Sequence, residues 1–207
     1  MAIIESVTIE AADPTAAERF YAAALGPAVP LHVQASEAAT SGFRGFTLSL
    51  VVAQPGNADL FLDAALRTGA TPLKPATKTF WGYGGVVQAP DGTILKVATS
   101  AKKDSGPARR EFDQFVLLLG AADVTASKRF YAERGLSVAK SFGRTYVEFA
   151  ADGPVKLGLY GRRALAKDAG VSPDGTGSHR LVVNGLAAAF TDPDGFAWEA
   201  ASTAVNR

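Results

Sequence analysis

The 207-residue sequence contains no cysteine and only two histidines. Disulfide frameworks, thiol nucleophiles and Cys/His zinc sites are therefore excluded, and few side chains could act as a general base. No apolar run approaches the roughly 20 residues of a membrane-spanning helix, and the first residues lack the basic start and apolar core of a signal peptide. We therefore expect a cytoplasmic protein that makes no contact with membranes.

An excess of either charge is also lacking. The 21 basic and 20 acidic residues are spread without blocks and leave a net charge of +1. Such a balance gives no electrostatic footprint for nucleic acid or for an anionic membrane. No glycine-rich phosphate loop and no Gly-x-Ser-x-Gly elbow is present either. The expected partner is a small molecule.

What the sequence does contain is a ten-residue stretch that occurs twice, at 12–21 and 122–131, with seven identical positions. Both copies begin with Ala-Asp and end with Arg-Phe-Tyr, and each follows an apolar run. Asp13 and Asp123 are typical helix N-caps, because a short side-chain oxygen can accept from the free N–H groups of the first turn. Each stretch therefore predicts a strand followed by a helix.

A second repeat supports the first. The segments 89–98 and 192–201 share a Pro-Asp-Gly turn between two apolar runs. Two copies of one domain are the simplest explanation. We place the first domain at 1–100, a polar linker at 101–110 and the second domain at 111–207.

The patterns of apolar and turn residues predict the elements of both copies. The second copy has too few residues between Asn184 and Ala189 for the helix and strand that the first copy has at this point, so we expect it to be abridged. The predicted strands are 5–11, 29–35, 43–52, 71–79, 84–89, 93–98, 113–120, 137–142, 145–150, 155–160, 179–183 and a hairpin at 190–201; the predicted helices are 14–25, 58–68, 124–134 and 162–169.

The strand, the Ala-Asp-x-x-Ala-x-x-Arg-Phe-Tyr helix and the closing Asp-Pro-Asp-Gly hairpin resemble the vicinal oxygen chelate superfamily, which includes glyoxalase I, the bleomycin resistance proteins and the extradiol dioxygenases. The resemblance covers nearly the whole chain. It implies an α+β fold with two glyoxalase-like domains of paired βαβββ modules and curved mixed sheets, the second domain being shortened. It is specific for the fold and weak for function, because this fold carries several unrelated activities.

The resemblance also implies positions for a metal site. In the first domain these fall on Ser6, on Phe46 or Thr47, and on Lys96, and none of these is a good ligand. An ammonium group at Lys96 would stand where the family has a carboxylate; it would repel a divalent ion and could pair with an anion. We therefore expect no metal in the first domain.

In the second domain the same positions fall on Val116, His179 and Glu199. The last two are suitable ligand types and are also the catalytic candidates, since a general base could come only from them or from Glu148. Val116 cannot bind a metal, so Gln114 on the same side of its strand, or Glu148, would have to complete the site. A divalent metal here would be Fe, Mn, Ni or Zn. As alternatives, His179 could be a structural histidine and Glu199 could be paired with an arginine.

Trp81 and Tyr83 lie in the loop that borders the ligand cup in resembling proteins. There they could stack on a planar guest, although Trp and Tyr are also common core residues. Together with Thr47 and Lys96 they form the predicted ligand-binding set.

Three functions remain open. The first is a binding protein without a metal, of the bleomycin-resistance kind, for a small and partly aromatic molecule. The second is a metal-dependent lyase, isomerase or dioxygenase that uses the second domain, with the metal as Lewis acid. The third is a degenerate domain with a structural or regulatory role. Because two fused domains can build one twofold arrangement within a chain, a monomer or a homodimer is expected.

Overall fold

The computed structural model describes residues 3–150 and 152–201, which form fifteen strands and four helices. The helices are α1 (Pro14–Leu25), α2 (Pro55–Arg67), α3 (Val124–Glu133) and α4 (Arg162–Ala169). The strands are β1 (Ile4–Ala11), β2 (Leu31–Ala35), β3 (Thr40–Gly42), β4 (Phe46–Val51), β5 (Thr71–Thr79), β6 (Gly82–Gln88), β7 (Ile94–Thr99), β8 (Gln114–Ala121), β9 (Val138–Phe142), β10 (Tyr146–Phe149), β11 (Val155–Gly161), β12 (Gly175–Gly177), β13 (Leu181–Gly185), β14 (Phe190–Thr191) and β15 (Ala197–Glu199).

The repeated stretches start helices as the sequence predicts. The Asp13 side chain accepts from the backbone N–H of Ala16, and that of Asp123 accepts from the N–H groups of two residues in the first turn of α3. Between β13 and β14 there is no helix, so the second half of the chain is abridged as expected. The strand predicted from residue 179 begins only at Leu181.

The strands form two large mixed sheets and a short ribbon of β3 and β12. The eight-stranded sheet has the order β5-β6-β7-β4-β8-β11-β10-β9, and the five-stranded sheet has the order β14-β15-β13-β1-β2. The α+β fold of curved mixed sheets is therefore confirmed.

Each sheet takes strands from both halves of the chain. In the eight-stranded sheet β4 lies antiparallel to β8, with Leu48 opposite Leu117. In the five-stranded sheet β1 lies antiparallel to β13, with Val7 opposite Val183. Strands of one half are thus paired with strands of the other in both large sheets. The linker at 101–110 separates the sequence repeats but not the sheets.

The linker is held against the start of α2 by the buried side chain of Gln54. Its Oε1 accepts from Ser105 N at 2.8 Å and from Gly106 N at 3.1 Å, and its Nε2 donates to the carbonyl of Pro107. Asn57 adds a bond by accepting from Arg109 N. These bonds satisfy backbone groups of an irregular segment that has no ladder of its own.

The main core lies between the two sheets and the helices α1, α2 and α3. Alternate residues of β4, β7 and β8 point into it, and their neighbours point to the opposite side of the eight-stranded sheet. We call this opposite side the inner face. It carries Thr47, Ser49, Ile94, Lys96, Val116 and Leu118. Among the described residues no helix is long and apolar enough to cross a membrane.

Helix α4 packs on the inner face. Leu165, Ala166 and Ala169 form a small second core with Val86 and Ile94 of the sheet. The helix ends at Gly170, which has a left-handed φ of 82° and whose N–H returns to the carbonyl of Ala166. The fourth predicted helix is therefore correct in extent, and the structure shows that it covers part of the inner face.

Candidate functional site

The floor of the candidate site is one row of side chains across the inner face. Ser49 lies opposite Lys96 on one side and opposite Val116 on the other, and Val116 lies opposite Lys156. Because directly paired residues share a face, the row places two ammonium groups, one hydroxyl and one apolar group on the same floor. The central positions of the sheet thus carry cations and no carboxylate.

Lys96 is joined to α4 by an ion pair. Its Nζ lies 2.6 Å from Oδ2 of Asp168, and the two side chains are 30% and 38% exposed. Lys74, on the edge strand β5, donates from its Nζ to the backbone carbonyls of Lys167 at 2.8 Å and of Asp168 at 2.7 Å. A cation at the C-terminus of a helix stabilises its free carbonyl groups. Two lysines therefore hold the end of α4 on the sheet.

A cleft of about 290 Å³ opens beside these two lysines, bordered by β5, β6, β7 and the end of α4. Its charged lining residues are Lys74, Lys96 and Asp168. The side formed by β6 is rich in glycine, and Gly84 must be one: a Cβ there would lie 2.4 Å from the carbonyl oxygen of Val97. The cleft therefore has polar groups at one end and bare backbone along one wall.

Trp81 borders this cleft at the turn between β5 and β6 and is 82% exposed. It meets Phe80, 79% exposed, edge to face with 5.0 Å between the ring centroids. Two neighbouring aromatic rings with so little burial are unusual in a folded chain. Their apolar surface is accessible to a ligand.

The Tyr83 side chain points away from the inner face. Its hydroxyl donates to Oδ1 of Asp59 on α2 at 2.6 Å, on the side of the sheet opposite the inner face. The bond to the Asp59 carboxylate, with burial and the charge of that group, raises the pKa of Tyr83 to about 12. Tyr83 borders the cleft, but its side chain is committed to α2.

Thr47 lies on the inner face opposite Leu118, which packs against the small core beneath α4. Its hydroxyl and that of Ser49 are buried, and among the described residues neither has a hydrogen-bond partner. Thr47 is thus buried and does not line the cleft, whereas Lys96 lines it directly.

His179 lies before β13, outside the strand predicted for it. Its Nδ1 faces the carbonyl oxygen of Arg44, its Nε2 lies 3.0 Å from the carbonyl oxygen of Asp194, and its ring stacks on Phe196 at 4.0 Å. Both ring nitrogens therefore already contact backbone acceptors, and the ring fills a structural position between two loops.

The structure does not bring the three predicted metal ligands together. Glu199 is exposed and lies in the five-stranded sheet, opposite Asn184. It follows Asp194, whose carbonyl oxygen contacts His179, by five residues. Gln114 lies in the other sheet, opposite Val51. Within residues 3–150 and 152–201 no group of three or more His, Asp or Glu side chains could hold a metal ion. The predicted ligand Gln114 lies in a different sheet from Glu199.

Asp168 and Lys74 are the charged residues of this cleft that the sequence did not indicate. Asp168 reaches Lys96 across 72 positions of the chain, and Lys74 reaches the end of α4 from a still greater distance in sequence. The only signal was Lys96 itself, a cation at a position where the resemblance implies a carboxylate.

No protein-family model matches the sequence, and a search of curated proteins found no match. Solved structures do match. Glyoxalase I from Zea mays has a TM-score of 0.61 at 12% identity, covering 96% of this chain and 91% of that chain. A mutant of the same Zea mays enzyme gives 0.61 at 11% identity, covering 96% and 93%. A putative dioxygenase from Bacillus subtilis subsp. subtilis str. 168 gives 0.53 at 13% identity, covering 88% and 69%. At these identities the comparison shows the fold.

Proposed function

Since the chain has the fold of the vicinal oxygen chelate superfamily, we propose that it is a binding protein that works without a metal. Its ligand is a small, partly aromatic molecule, held in the cleft between α4 and strands β5, β6 and β7. The members of this fold carry several activities, so the proposal depends on the residues of the cleft and not on the fold.

The observation that carries the proposal is the ammonium group of Lys96 on the cleft floor. It lies four residues after the turn glycine Gly92, at the position where the resemblance implies a carboxylate ligand. The group is already bonded to Asp168, and Lys156 adds a second cation to the same row of the sheet. Cations at these positions repel a divalent metal and favour an anionic or polar group of an organic guest.

The cleft has the properties of a small-molecule site. Its volume of about 290 Å³ is close to the lower limit of ligand pockets, which is roughly 300 Å³. Trp81 supplies a large apolar surface at one border, and the polar groups are concentrated around Lys96. A guest with one planar ring and one polar end fits this division.

Metal content provides the first test. We expect protein purified without chelator or affinity metal to contain no stoichiometric metal, and titration with Mn, Fe(II), Ni and Zn to show no binding at micromolar concentrations. Stoichiometric metal that is lost in His179→Ala would overturn the proposal and favour a metal-dependent enzyme.

Ligand binding provides the second test, with a library of small aromatic compounds followed by tryptophan fluorescence. The exposed Trp81 should report binding, because the other tryptophan, Trp198, is buried in the core. Trp81→Ala should weaken binding by about 1–3 kcal/mol, as expected for a lost aromatic anchor. Phe142, 63% exposed at the far edge of the same sheet, is the matched control, and Phe142→Ala should leave affinity unchanged. Affinity is followed by calorimetry, since the first variant removes the fluorophore.

We also propose that the protein is a monomer. Each large sheet finds its partner strands within one chain, so no second copy is needed to complete either sheet. Sedimentation equilibrium tests this, and a stable dimer at micromolar concentration would refute it.

A further inference from the structure

Building on that proposed function, we infer that the ligand is an aromatic carboxylate and that its carboxylate takes the place of Asp168 on the Lys96 ammonium group. In the protein without ligand, the Asp168 carboxylate then occupies the position that the carboxylate of the ligand takes on binding. The inference depends on four features of the cleft.

The first feature is the accessibility of the pair. The Lys96 and Asp168 side chains are 30% and 38% exposed and both line the cleft. A ligand in the cleft can therefore reach the ammonium group without unfolding the helix. An ion pair this close to solvent contributes little to stability, so exchanging one carboxylate for another costs little.

The second feature is the difference between the two lysines that hold α4. Lys74 donates to two backbone carbonyls, which cannot leave without unwinding the last turn of the helix. Lys96 is bonded to a side-chain carboxylate, which can swing away by rotation about its own bonds. Lys96 is thus the cation that can exchange Asp168 for an incoming anion, while Lys74 keeps the helix in place.

The third feature is the charge of the lining. Two lysines and one aspartate are the charged residues that border the cleft, which leaves one positive charge uncompensated there. An anionic guest neutralises it, and a carboxylate accepts from an ammonium group in the same way as the Asp168 side chain does. A cationic guest would meet Lys74 and Lys96 at the same end of the cleft.

The fourth feature is the shape of the remaining space. The wall formed by Gly82 and Gly84 has no side chains to obstruct a flat ring, and Trp81 stands at the border of the same space. A ring placed there gains apolar contact, while a carboxylate attached to it points toward Lys96. An aromatic carboxylate satisfies both ends at once.

The test uses benzoate and benzamide, which have nearly the same shape and differ in charge. Binding to the full-length protein is followed by ¹H–¹⁵N chemical-shift titration, with the Trp81 indole N–H as the reporter of the cleft. Wild-type protein should bind benzoate about two- to fivefold more tightly than benzamide, because only benzoate is an anion that can form an ion pair with Lys96. Lys96→Met should remove that preference. Lys140→Met, which removes an exposed cation from the opposite edge of the same sheet, should retain it.

Asp168→Asn is the decisive variant. It removes the internal competitor and should tighten benzoate binding by about two- to fivefold, the scale of a partly exposed ion pair, with no effect on benzamide. Glu148→Gln, which removes the carboxylate of the Lys140–Glu148 pair on the same sheet, is the matched control and should change neither affinity.

Benzoate binding that is unchanged or weaker in Asp168→Asn would overturn the inference. So would equal affinity of wild-type protein for benzoate and benzamide, and in that case binding of both at Trp81 would leave the proposed binding function standing. If neither these probes nor any compound of the aromatic library shifts the Trp81 signal, the proposed function fails together with the inference. Should Asp168→Asn prove unfolded by circular dichroism, the comparison of wild type with Lys96→Met decides the matter.

Discussion

The hydroxyl of Tyr131 donates a hydrogen bond to Oδ2 of Asp192, and in the other half of the chain the hydroxyl of Tyr21 donates to Oδ2 of Asp91 at 2.8 Å. Each bond joins the tyrosine of the repeated helix to an aspartate of the repeated turn. The two repeats that reveal the duplication are therefore in contact. The tyrosines occupy the same position of the repeat, but the aspartates do not, since Asp91 aligns with Asp194 and Asp192 aligns with Ala89.

The two bonds should differ in their contribution to stability. In Tyr131→Phe, Asp192 loses a donor, and the Nε1 group of the buried Trp198 loses its acceptor. In Tyr21→Phe, Oδ2 of Asp91 keeps the hydroxyl of Thr93 as a donor, whereas the donors that remain to Asp192 in Tyr131→Phe bond its Oδ1. We expect Tyr131→Phe to lower the free energy of unfolding by about 2–4 kcal/mol and Tyr21→Phe by about 1 kcal/mol. Urea denaturation measures both, and equal losses would contradict this assignment of partners.

The stability should also depend on pH through Asp192. Burial raises the pKa of Asp192 above its ordinary value, opposed by hydrogen bonds from Tyr131 and from the backbone N–H of Phe196. The folded state then binds the proton more tightly than the unfolded state does. Asp192 therefore favours folding most below its unfolded pKa, and this contribution is lost as the pH rises through the folded pKa.

Asp192→Asn removes this titration. The free energy of unfolding of wild-type protein minus that of Asp192→Asn should increase as the pH falls from neutral to acidic values. Urea denaturation between pH 7 and pH 4 tests the trend. Leu66→Ala, at an exposed position of α2 and with no change in titratable groups, is the control and should show no such trend. A difference that is constant, or that decreases toward low pH, would show that the pKa of Asp192 is not raised.

The linker should be released when Gln54 is removed. Gln54 is 4% exposed and makes six hydrogen bonds, five of them to residues 105–107. Gln54→Ala should cost about 2–4 kcal/mol and speed trypsin cleavage after Lys102 and Lys103, because several linker N–H and carbonyl groups lose their partner. Gln34→Ala, which removes a single exposed bond to Glu10, should leave both properties unchanged. Equal cleavage rates would mean that other contacts hold the linker.

The packing of α4 on the inner face can be tested through Leu165, which is 0% exposed. Leu165→Ala should lower the free energy of unfolding by about 2–5 kcal/mol, because it leaves a cavity between α4 and the sheet. Leu66 on α2, 40% exposed, is the control, and Leu66→Ala should cost less than about 1 kcal/mol. A small effect at Leu165 would show that the helix is not firmly packed on the sheet.

Much of this fold could be predicted from local patterns. The caps at Asp13 and Asp123 define the starts of two helices, and the Pro-Asp-Gly turns define two closing hairpins, because these features depend only on residues near in sequence. The abridged second half follows from a simple count of residues after Asn184. The partners of the strands could not be predicted in this way, since either half offers chemically similar apolar strands to β4 and β8.

The candidate site shows where local reasoning ends. The sequence indicated Lys96, because a cation stands at a position of the resembling family's metal site. It did not indicate Asp168, since nothing in the pattern of residues 162–169 shows which surface the helix covers. Tyr83 was placed in the ligand-binding set by its position in a loop, yet the alternation of β6 turns its side chain toward Asp59 on α2. A shift of one residue in the register of a strand moves a side chain to the other face of the sheet.

The pairing of β1 with β13 sets an order of events during synthesis. Strand β1 leaves the ribosome well before its antiparallel partner, which follows only after about 170 further residues have been made, since Ile9 pairs with Leu181. Until then one edge of β1 has no neighbour and could pair with another nascent chain. Contacts so distant in sequence form slowly. The five-stranded sheet should therefore be the last part of the protein to assemble and the part most dependent on a dilute, protected environment.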